Sequence, residues 1–197
     1  MDFSAPVVLE NRHVRLRPLE LTDFEALKAV AFDEELWHYT LTRADDAVSL
    51  AAYLRQAVEA REQGLRYPFA IIDRATGALA GSTSYYNVVA DDQRLSIGYT
   101  WVATAYQRSG LNRGCKHLLL SYAFGELGCE RVELKADARN QKSREAMLRM
   151  GATEEGLLRS HMVLPGGHRR DSVYYSILRP EWEGLRQSVF HEFDARG

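Results

Sequence analysis

The succession of strands between residues 67 and 102 constrains the fold of this chain more than any other feature. Apolar alternation predicts three strands and helical spacing predicts a helix after them, at Tyr67–Asp73, Ala78–Tyr86, Arg94–Val102 and Ser109–Leu127. A turn at residues 74–77 joins the first two strands as an antiparallel pair. Because three successive strands are not the start of a βαβ unit, we expect a mixed sheet.

The remaining segments complete this pattern. Four further strands are predicted at His13–Leu19, Arg131–Ala136, Thr153–Leu164 and Arg169–Leu178, the last two joined by a Pro-Gly-Gly turn. Three further helices are predicted from a capping box at Thr22–Glu25 to about Trp37, from about Asp45 to Gln63, and from Asn140 to Gly151. The sequence therefore predicts an α/β (α+β) fold with a mixed, mostly antiparallel sheet of six to seven strands and helices on both faces. We expect one domain at residues 1–180 and an amphipathic helical tail at residues 181–197.

Composition excludes several classes of protein. The chain has 197 residues, of which 46% are hydrophobic, and a formal net charge of −2, so it fits a globular domain and not a globally basic nucleic-acid binder. We find no apolar stretch that could span a bilayer and no signal peptide, so we expect no membrane partner and a cytoplasmic location. Cys115 and Cys129 are too few for a disulfide framework, and the six histidines lack ligand spacing, so we expect no metal.

The helix after the third of these strands opens with an unusual charge pattern. A helix N-terminus exposes unpaired amides and a partial positive charge, which acidic side chains normally stabilise. Here Arg108, Arg113 and Lys116 gather near that end. A bound anion would turn their repulsion into attraction, and Gly110 and Gly114 would let the anion reach the backbone. Since neither GxxxxGK[ST] nor GxGxxG occurs, the alternative interpretation is a glycine-containing loop with solvated arginines.

Residues 106–112, Tyr-Gln-Arg-Ser-Gly-Leu-Asn, resemble the Q/R-x-x-G-x-G/A loop of the GCN5-related N-acetyltransferase (GNAT) superfamily. Residues 127–144 and 170–176, with Gly151-Ala152 and Glu155-Gly156, resemble its RimJ/RimL-like branch of ribosomal-protein N-acetyltransferases. The resemblance covers about residues 10 to 180 and includes the order of elements. It departs at Asn112, which stands where the family loop has a small residue, although Asn also adopts left-handed geometry or caps helices.

The resemblance implies a GNAT fold and acetyl-CoA as the donor. The pyrophosphate would bind backbone amides at the start of the helix, and the pantetheine would run along Thr100–Val102, where the sheet of this family splays. The donor-binding residues implied in this way are Thr100, Trp101, Val102, Gln107, Arg108, Ser109, Gly110, Leu111, Asn112, Arg113, Gly114, Asn140 and Ser143.

Acetyl transfer requires a deprotonated amine, a polarised thioester carbonyl and a proton for the departing thiolate. The resemblance implies direct transfer with Ser143 as the proton donor, because Met147 replaces the tyrosine that many members use. Ser143 is also the third residue of a helix capped by Asn140, and both roles are compatible.

The general base is the least defined part of this chemistry. Ser96 stands where the family often has a glutamate. We expect His161 to serve, because imidazole titrates near neutral pH, with Tyr175 or ordered water as alternatives. An α-amine with a pKa of about 8 is already partly deprotonated at neutral pH, so a strong base is not essential.

The predicted function is an acyl-CoA-dependent N-acetyltransferase that acts on a primary amine, with a protein N-terminal α-amine favoured by the resemblance. The alternatives are a small-amine, polyamine or antibiotic acceptor, or a non-catalytic acyl-CoA-binding module. Trp37, His38 and Tyr39 form either an acceptor lid or an apolar plug at a helix end. The aromatic residues of the tail would dock on the body or on a second subunit, which would make a homodimer.

Overall fold

One eight-stranded sheet forms the centre of the protein. The computed structural model describes residues 1, 3 and 5–194, with only the backbone of residue 194. The strands are β1 (Leu9–Glu10), β2 (Val14–Pro18), β3 (Arg66–Asp73), β4 (Leu79–Val89), β5 (Arg94–Val102), β6 (Arg131–Asp137), β7 (Thr153–Val163) and β8 (Arg169–Leu178). Their order in the sheet is β1-β2-β3-β4-β5-β6-β8-β7, and only β5 and β6 pair in parallel.

Helices lie on both faces of this sheet. They are α1 (Phe24–Ala31), α2 (Ala47–Glu62), α3 (Leu111–Gly125), α4 (Gln141–Arg149), α5 (Arg179–Ser188) and α6 (His191–Asp194). α1 and α2 pack on β4 and β3 and form one apolar cluster, while α3 and α5 belong to the larger cluster on the opposite face. The predicted fold class is therefore confirmed. No helix of the described residues has the length and apolar character needed to cross a membrane.

Two local predictions need correction. The sheet has eight strands rather than six or seven, because Leu9–Glu10 adds a two-residue edge strand too short to leave a periodic pattern. The capping box predicted at Thr22 is wrong, since the carboxylate of Asp23 accepts from the amide of Glu20 (2.9 Å) and opens a 3-10 turn before α1. That helix ends at Ala31, and a second 3-10 turn continues to Trp37.

The parting of β5 from β6 is the feature that creates a cleft in the sheet. Pairing stops at Ser96 and Glu133 after three residue pairs, although β5 continues to Val102 and β6 to Asp137. Tyr99, with φ of +50°, marks a bulge in β5 where its register against β4 also shifts. The edge of β5 that faces β6 is therefore without a strand partner over its second half, among the described residues.

The C-terminal tail packs on the body of its own chain. Trp182, Phe190 and Phe193 are buried in the same apolar cluster as α3, and Phe124 stacks on Trp182 with ring centroids 5.8 Å apart. The aromatic residues after residue 180 thus share one core with the preceding strands.

Candidate active site

α3 begins at Gly110, and the space in front of this residue is open. Gly110 has φ of +86°, and a Cβ built on it would meet no atom within 4 Å. The hydroxyl of Ser109 donates to the carbonyl oxygen of Tyr106 (2.7 Å) and accepts weakly from the amide of Leu111 (3.3 Å). The next two amides, those of residues 112 and 113, have no acceptor among the described residues. The start of α3 therefore presents unpaired backbone donors to an unobstructed surface, as an anion requires.

Gly114 has a different role from the one that the sequence predicted. Its amide already donates to the carbonyl oxygen of Gly110 (2.9 Å), and a Cβ would lie 3.0 Å from Phe193 Cε1. Gly114 thus lets the tail approach α3. Within the predicted glycine pair, it is Gly110 that faces the open surface.

The cation cluster predicted at the start of α3 is dispersed in the structure. Arg113 turns to the tail, where its guanidinium donates to the carbonyl oxygen of Val189 (2.5 Å) and pairs with Glu192 (3.3 Å). Lys116 is buried under α3, donates to Thr100 Oγ1 (2.9 Å), and burial lowers its pKa to about 8. Arg108 remains exposed at the loop. The backbone of this loop, with Arg108, therefore carries the anion-binding character that the sequence assigned to three cations.

The predicted donor-binding segment of β5 lies beside the parting of the strands. Thr100 and Val102 face α3, whereas the Trp101 side chain is buried on the opposite face, 5.1 Å from the ring of Trp37. Gln107 Nε2 donates to the carbonyl oxygen of Val102 (2.9 Å), which anchors the loop to the end of this strand.

The start of α4 meets the same loop from the other side of the cleft. Asn140 Oδ1 accepts from the amide of Ser143 (3.0 Å), so the predicted cap is present. The Ser143 hydroxyl is half-buried and makes no hydrogen bond with the described residues. Lys142 Nζ contacts Gln107 Oε1, which brings the first turn of α4 to the loop before α3.

Polar side chains cover the opposite face of the sheet where β5, β6 and β8 meet; we call this the polar face. It contains Tyr86, Ser96, Glu133, Lys135, Arg170 and Tyr174, which the strand registers place on one side. His161 of β7 joins it, with its ring 5.7 Å from that of Tyr174. Burial, and then the charges of Lys135 and Arg170, lower the pKa of His161, so the imidazole is neutral at neutral pH.

A family model for the acetyltransferase (GNAT) domain matches residues 13–153 of the chain. The chain belongs to the GNAT superfamily. This GNAT protein is similar to the "Putative ribosomal N-acetyltransferase YdaF" of Bacillus subtilis (strain 168), with 31% identity over 185 residues that cover 88% of this chain and 96% of the relative. The match supports the predicted RimJ/RimL-like branch and an acyl-CoA-dependent N-acetyltransferase.

Solved structures agree with this assignment. An acetyltransferase from T. thermophilus superposes with a TM-score of 0.87 at 32% identity, covering 97% of this chain and 99% of that one. A GCN5-related N-acetyltransferase from Brucella melitensis superposes with a TM-score of 0.88 at 26% identity, covering 98% and 88%. The GNAT fold predicted from the sequence is thereby confirmed.

The structure places the three predicted catalytic residues of this GNAT protein on different faces. Ser143 lies on the α4 side and His161 on the polar face. Tyr175 is fully buried on the α4 side, where its hydroxyl accepts from Arg144 Nε (3.1 Å) and donates to Glu154 (3.0 Å). This placement favours a structural role for Tyr175, and it is Tyr174 that reaches the polar face.

Sequence reasoning missed a carboxylate that lies beside Ser96. Glu133, from the neighbouring strand β6, accepts from the Ser96 hydroxyl (3.4 Å) and from Arg131 Nε (3.0 Å). The three β5–β6 pairs create this contact, so only a knowledge of the register could have found it. A carboxylate is thus present near the position where the predicted glutamate is missing.

Neither cysteine has the properties of a nucleophile in this GNAT protein. Cys115 is buried in the core, and burial raises the pKa of its thiol to about 12. Cys129 is also buried, and burial raises the pKa of its thiol to about 11. A thiol held in its protonated form does not attack a thioester readily, which agrees with direct transfer. Among the described residues there is also no group of His, Cys, Asp or Glu side chains arranged to hold a metal ion.

A cleft of about 300 Å³ opens at the end of the sheet between residues 34–43 and the β7–β8 hairpin. Trp37 is buried at its base, where its indole Nε1 donates to the carbonyl oxygen of Ala31 (2.9 Å), as a plug at a helix end would be. His38 is exposed and lines the cleft, as does Arg139. The predicted Trp37–Tyr39 segment therefore combines a plug with a lining of the cleft.

Proposed function

We propose that this GNAT enzyme transfers an acetyl group from acetyl-CoA to a primary amine, with the N-terminal α-amine of a protein as the acceptor. The observation that carries this proposal is the parting of β5 from β6 beside the open start of α3 at Gly110. The description of the Bacillus relative as a ribosomal N-acetyltransferase supports a protein acceptor.

The residues around the parting fit a CoA chain. Unpaired amides and Arg108 at the start of α3 would bind the pyrophosphate, and the free edge of β5 near Thr100–Val102 would offer backbone groups to the pantetheine amides. Asn140 and Ser143 would form the opposite wall from α4. Gln107 already ties these two walls together through Val102 and Lys142.

His161 and Ser143 would move the protons of the reaction. The neutral imidazole of His161 would take a proton from the acceptor ammonium, directly or through water, and the amine nitrogen would attack the thioester carbonyl. As the new C–N bond forms, the C–S bond breaks and the departing thiolate accepts a hydrogen bond and a proton delivered through the Ser143 hydroxyl. No covalent acyl-enzyme is needed.

Thiol release from acetyl-CoA tests the proposal. We would supply peptides with free and blocked N-termini, polyamines and aminoglycosides, and locate the new acetyl group by mass spectrometry. Acetylation of free peptide N-termini is the expected result. Acetyl-CoA binding without turnover on any amine would contradict catalysis, and selective acetylation of a small amine would contradict the protein acceptor.

The cytoplasmic location and the homodimer expected from the sequence remain predictions. Cell fractionation and light scattering test them.

A further inference from the structure

Two cations on the polar face have no acidic partner among the described residues. Arg170 is only 5% exposed, and its Nε donates to Ser172 Oγ (3.0 Å), with no carboxylate within ion-pair distance. Lys135 is half-buried and contacts two aromatic rings, those of Tyr86 and Tyr174, at 5.4 and 5.6 Å from Nζ to the centroids. Partly desolvated cations of this kind are costly unless an anion compensates them.

The acidic residues nearest to these cations already bind other arginines. Asp137 accepts two hydrogen bonds from Arg139, at 3.0 and 2.9 Å. Glu133 accepts from Arg131 Nε at 3.0 Å. The positive charge of Lys135 and Arg170 is therefore left for a group that does not belong to the described part of the chain.

These cations lie where the acceptor must enter. Lys135 is two residues beyond Glu133, the last residue of β6 that pairs with β5. Its side chain reaches between Tyr86 of β4 and Tyr174 of β8, and so lies over the opening between β5 and β6. Arg170 is close enough for its charge to act on both Lys135 and His161.

We infer that Lys135 and Arg170 form a carboxylate-binding site, so that the enzyme prefers acceptors that carry an acidic group close to the reacting amine. The inference rests on the proposed acetyl transfer on this face. A guanidinium that uses only Nε on Ser172 keeps its two Nη groups for a carboxylate. The same cations disfavour a second positive charge beside them, which selects against polycations and favours the uncharged form of the amine.

The carboxylate has two sources, which the acceptors distinguish. We would compare kcat/KM for hexapeptides that differ only in the second residue, Asp, Asn or Lys, and for free serine against serine amide. A preference of about 10- to 100-fold for Asp over Asn is expected if the acid is a peptide side chain. A preference of similar size for serine over serine amide would instead assign the site to an α-carboxylate.

Variants separate this site from general effects on the fold. Lys135→Met is expected to remove the preference, Lys135→Arg to retain it, and Lys135→Glu to invert it toward the Lys peptide. Since Arg170 is buried, Arg170→Lys accompanies Arg170→Gln and keeps the charge if the glutamine variant does not fold. Lys28→Met, on the surface of α1, is the matched control and should leave the preference unchanged.

Binding of the acetylated products gives a readout that does not depend on turnover. Calorimetry should show tighter binding of the acetylated Asp peptide than of its Asn counterpart. Equal turnover and equal binding of all acceptors would overturn the carboxylate site and leave acetyl transfer standing. Acetyl-CoA binding without turnover on any amine would instead overturn the proposed function, and the acceptor inference with it.

Discussion

Ser143 shows how one residue can serve a helix and a reaction through different atoms. Its backbone amide completes the cap with Asn140, whereas its hydroxyl has no partner among the described residues. The structural role therefore does not require the hydroxyl.

Replacing Ser143 with alanine should separate these roles. We expect kcat to fall by about 10- to 100-fold, the scale of proton-transfer assistance, with KM and thermal stability nearly unchanged because the cap bond remains. Steady-state kinetics and thermal unfolding measure this. Asn140→Ala is the contrasting variant and should cost about 1 kcal/mol of stability. An unchanged kcat in Ser143→Ala would remove the hydroxyl from the mechanism.

His161 is the residue for which the structure makes a pH prediction. Burial and the charges of Lys135 and Arg170 lower its pKa, so it becomes protonated only below the ordinary pKa of 6.5. If the neutral ring is the base, kcat/KM falls as the pH drops through this lowered pKa. His161→Gln should flatten that acid limb, and His191→Gln in the tail should not. The same acid limb in His161→Gln would exclude this base.

At the scale of elements, α3 carries two features that act in different environments. Its start faces an open surface through Gly110, and its second turn buries Lys116 against β5. The first feature concerns donor binding and the second concerns stability.

Gly110→Leu should raise the KM for acetyl-CoA at least about 10-fold, because a side chain would occupy the space in front of the unpaired amides. Gly64→Leu is a matched control for backbone strain, since Gly64 also has positive φ (+69°) and open surroundings but lies after α2. Both variants should lose a similar amount of stability, while only Gly110→Leu loses donor affinity. Calorimetric titration with CoA would show whether this separation holds.

Lys116→Met should change how stability depends on pH. The folded chain binds the Lys116 proton with a pKa of about 8, below the ordinary 10.5, so the unfolded state holds more protons between these values. Wild-type stability therefore rises relative to the variant across this range, by roughly 3 kcal/mol at most. Urea unfolding at pH 7 and pH 10.5 measures the difference, and Lys28→Met should show none. A constant difference between wild type and Lys116→Met would show that this lysine is not desolvated.

At the scale of the whole molecule, the tail and the body form one cooperative unit. Phe190 is fully buried, and its ring lies 6.0 Å from that of His117 on α3 and 5.5 Å from that of Trp182 on α5. Removing such a ring leaves a cavity between α3 and the tail.

Phe190→Ala should therefore destabilise the whole protein by about 3–5 kcal/mol in a single transition. Leu148→Ala, at a half-exposed position on α4, should cost far less. Urea unfolding followed by fluorescence and circular dichroism measures both. A separate early transition of the tail, with the body unaffected, would contradict the shared core.

The sequence by itself determined the elements whose signals are local. The alternation in β5, the cap at Asn140 and the left-handed glycine at Gly110 each depend on a few neighbouring residues, and the structure contains all three. The short edge strand at Leu9 and the turn before α1 were missed because two residues carry no period and Asp23 competes with Thr22 for the cap.

Tertiary structure alone decided which side chains share a site. Sequence spacing could not tell Tyr174 from Tyr175, because one step along a strand exchanges the polar face for the core. It placed Arg113 and Lys116 together, although the tail binds one and β5 the other. These outcomes depend on strand register, on the bulge at Tyr99 and on contacts between distant segments, and local periodicity contains none of that information.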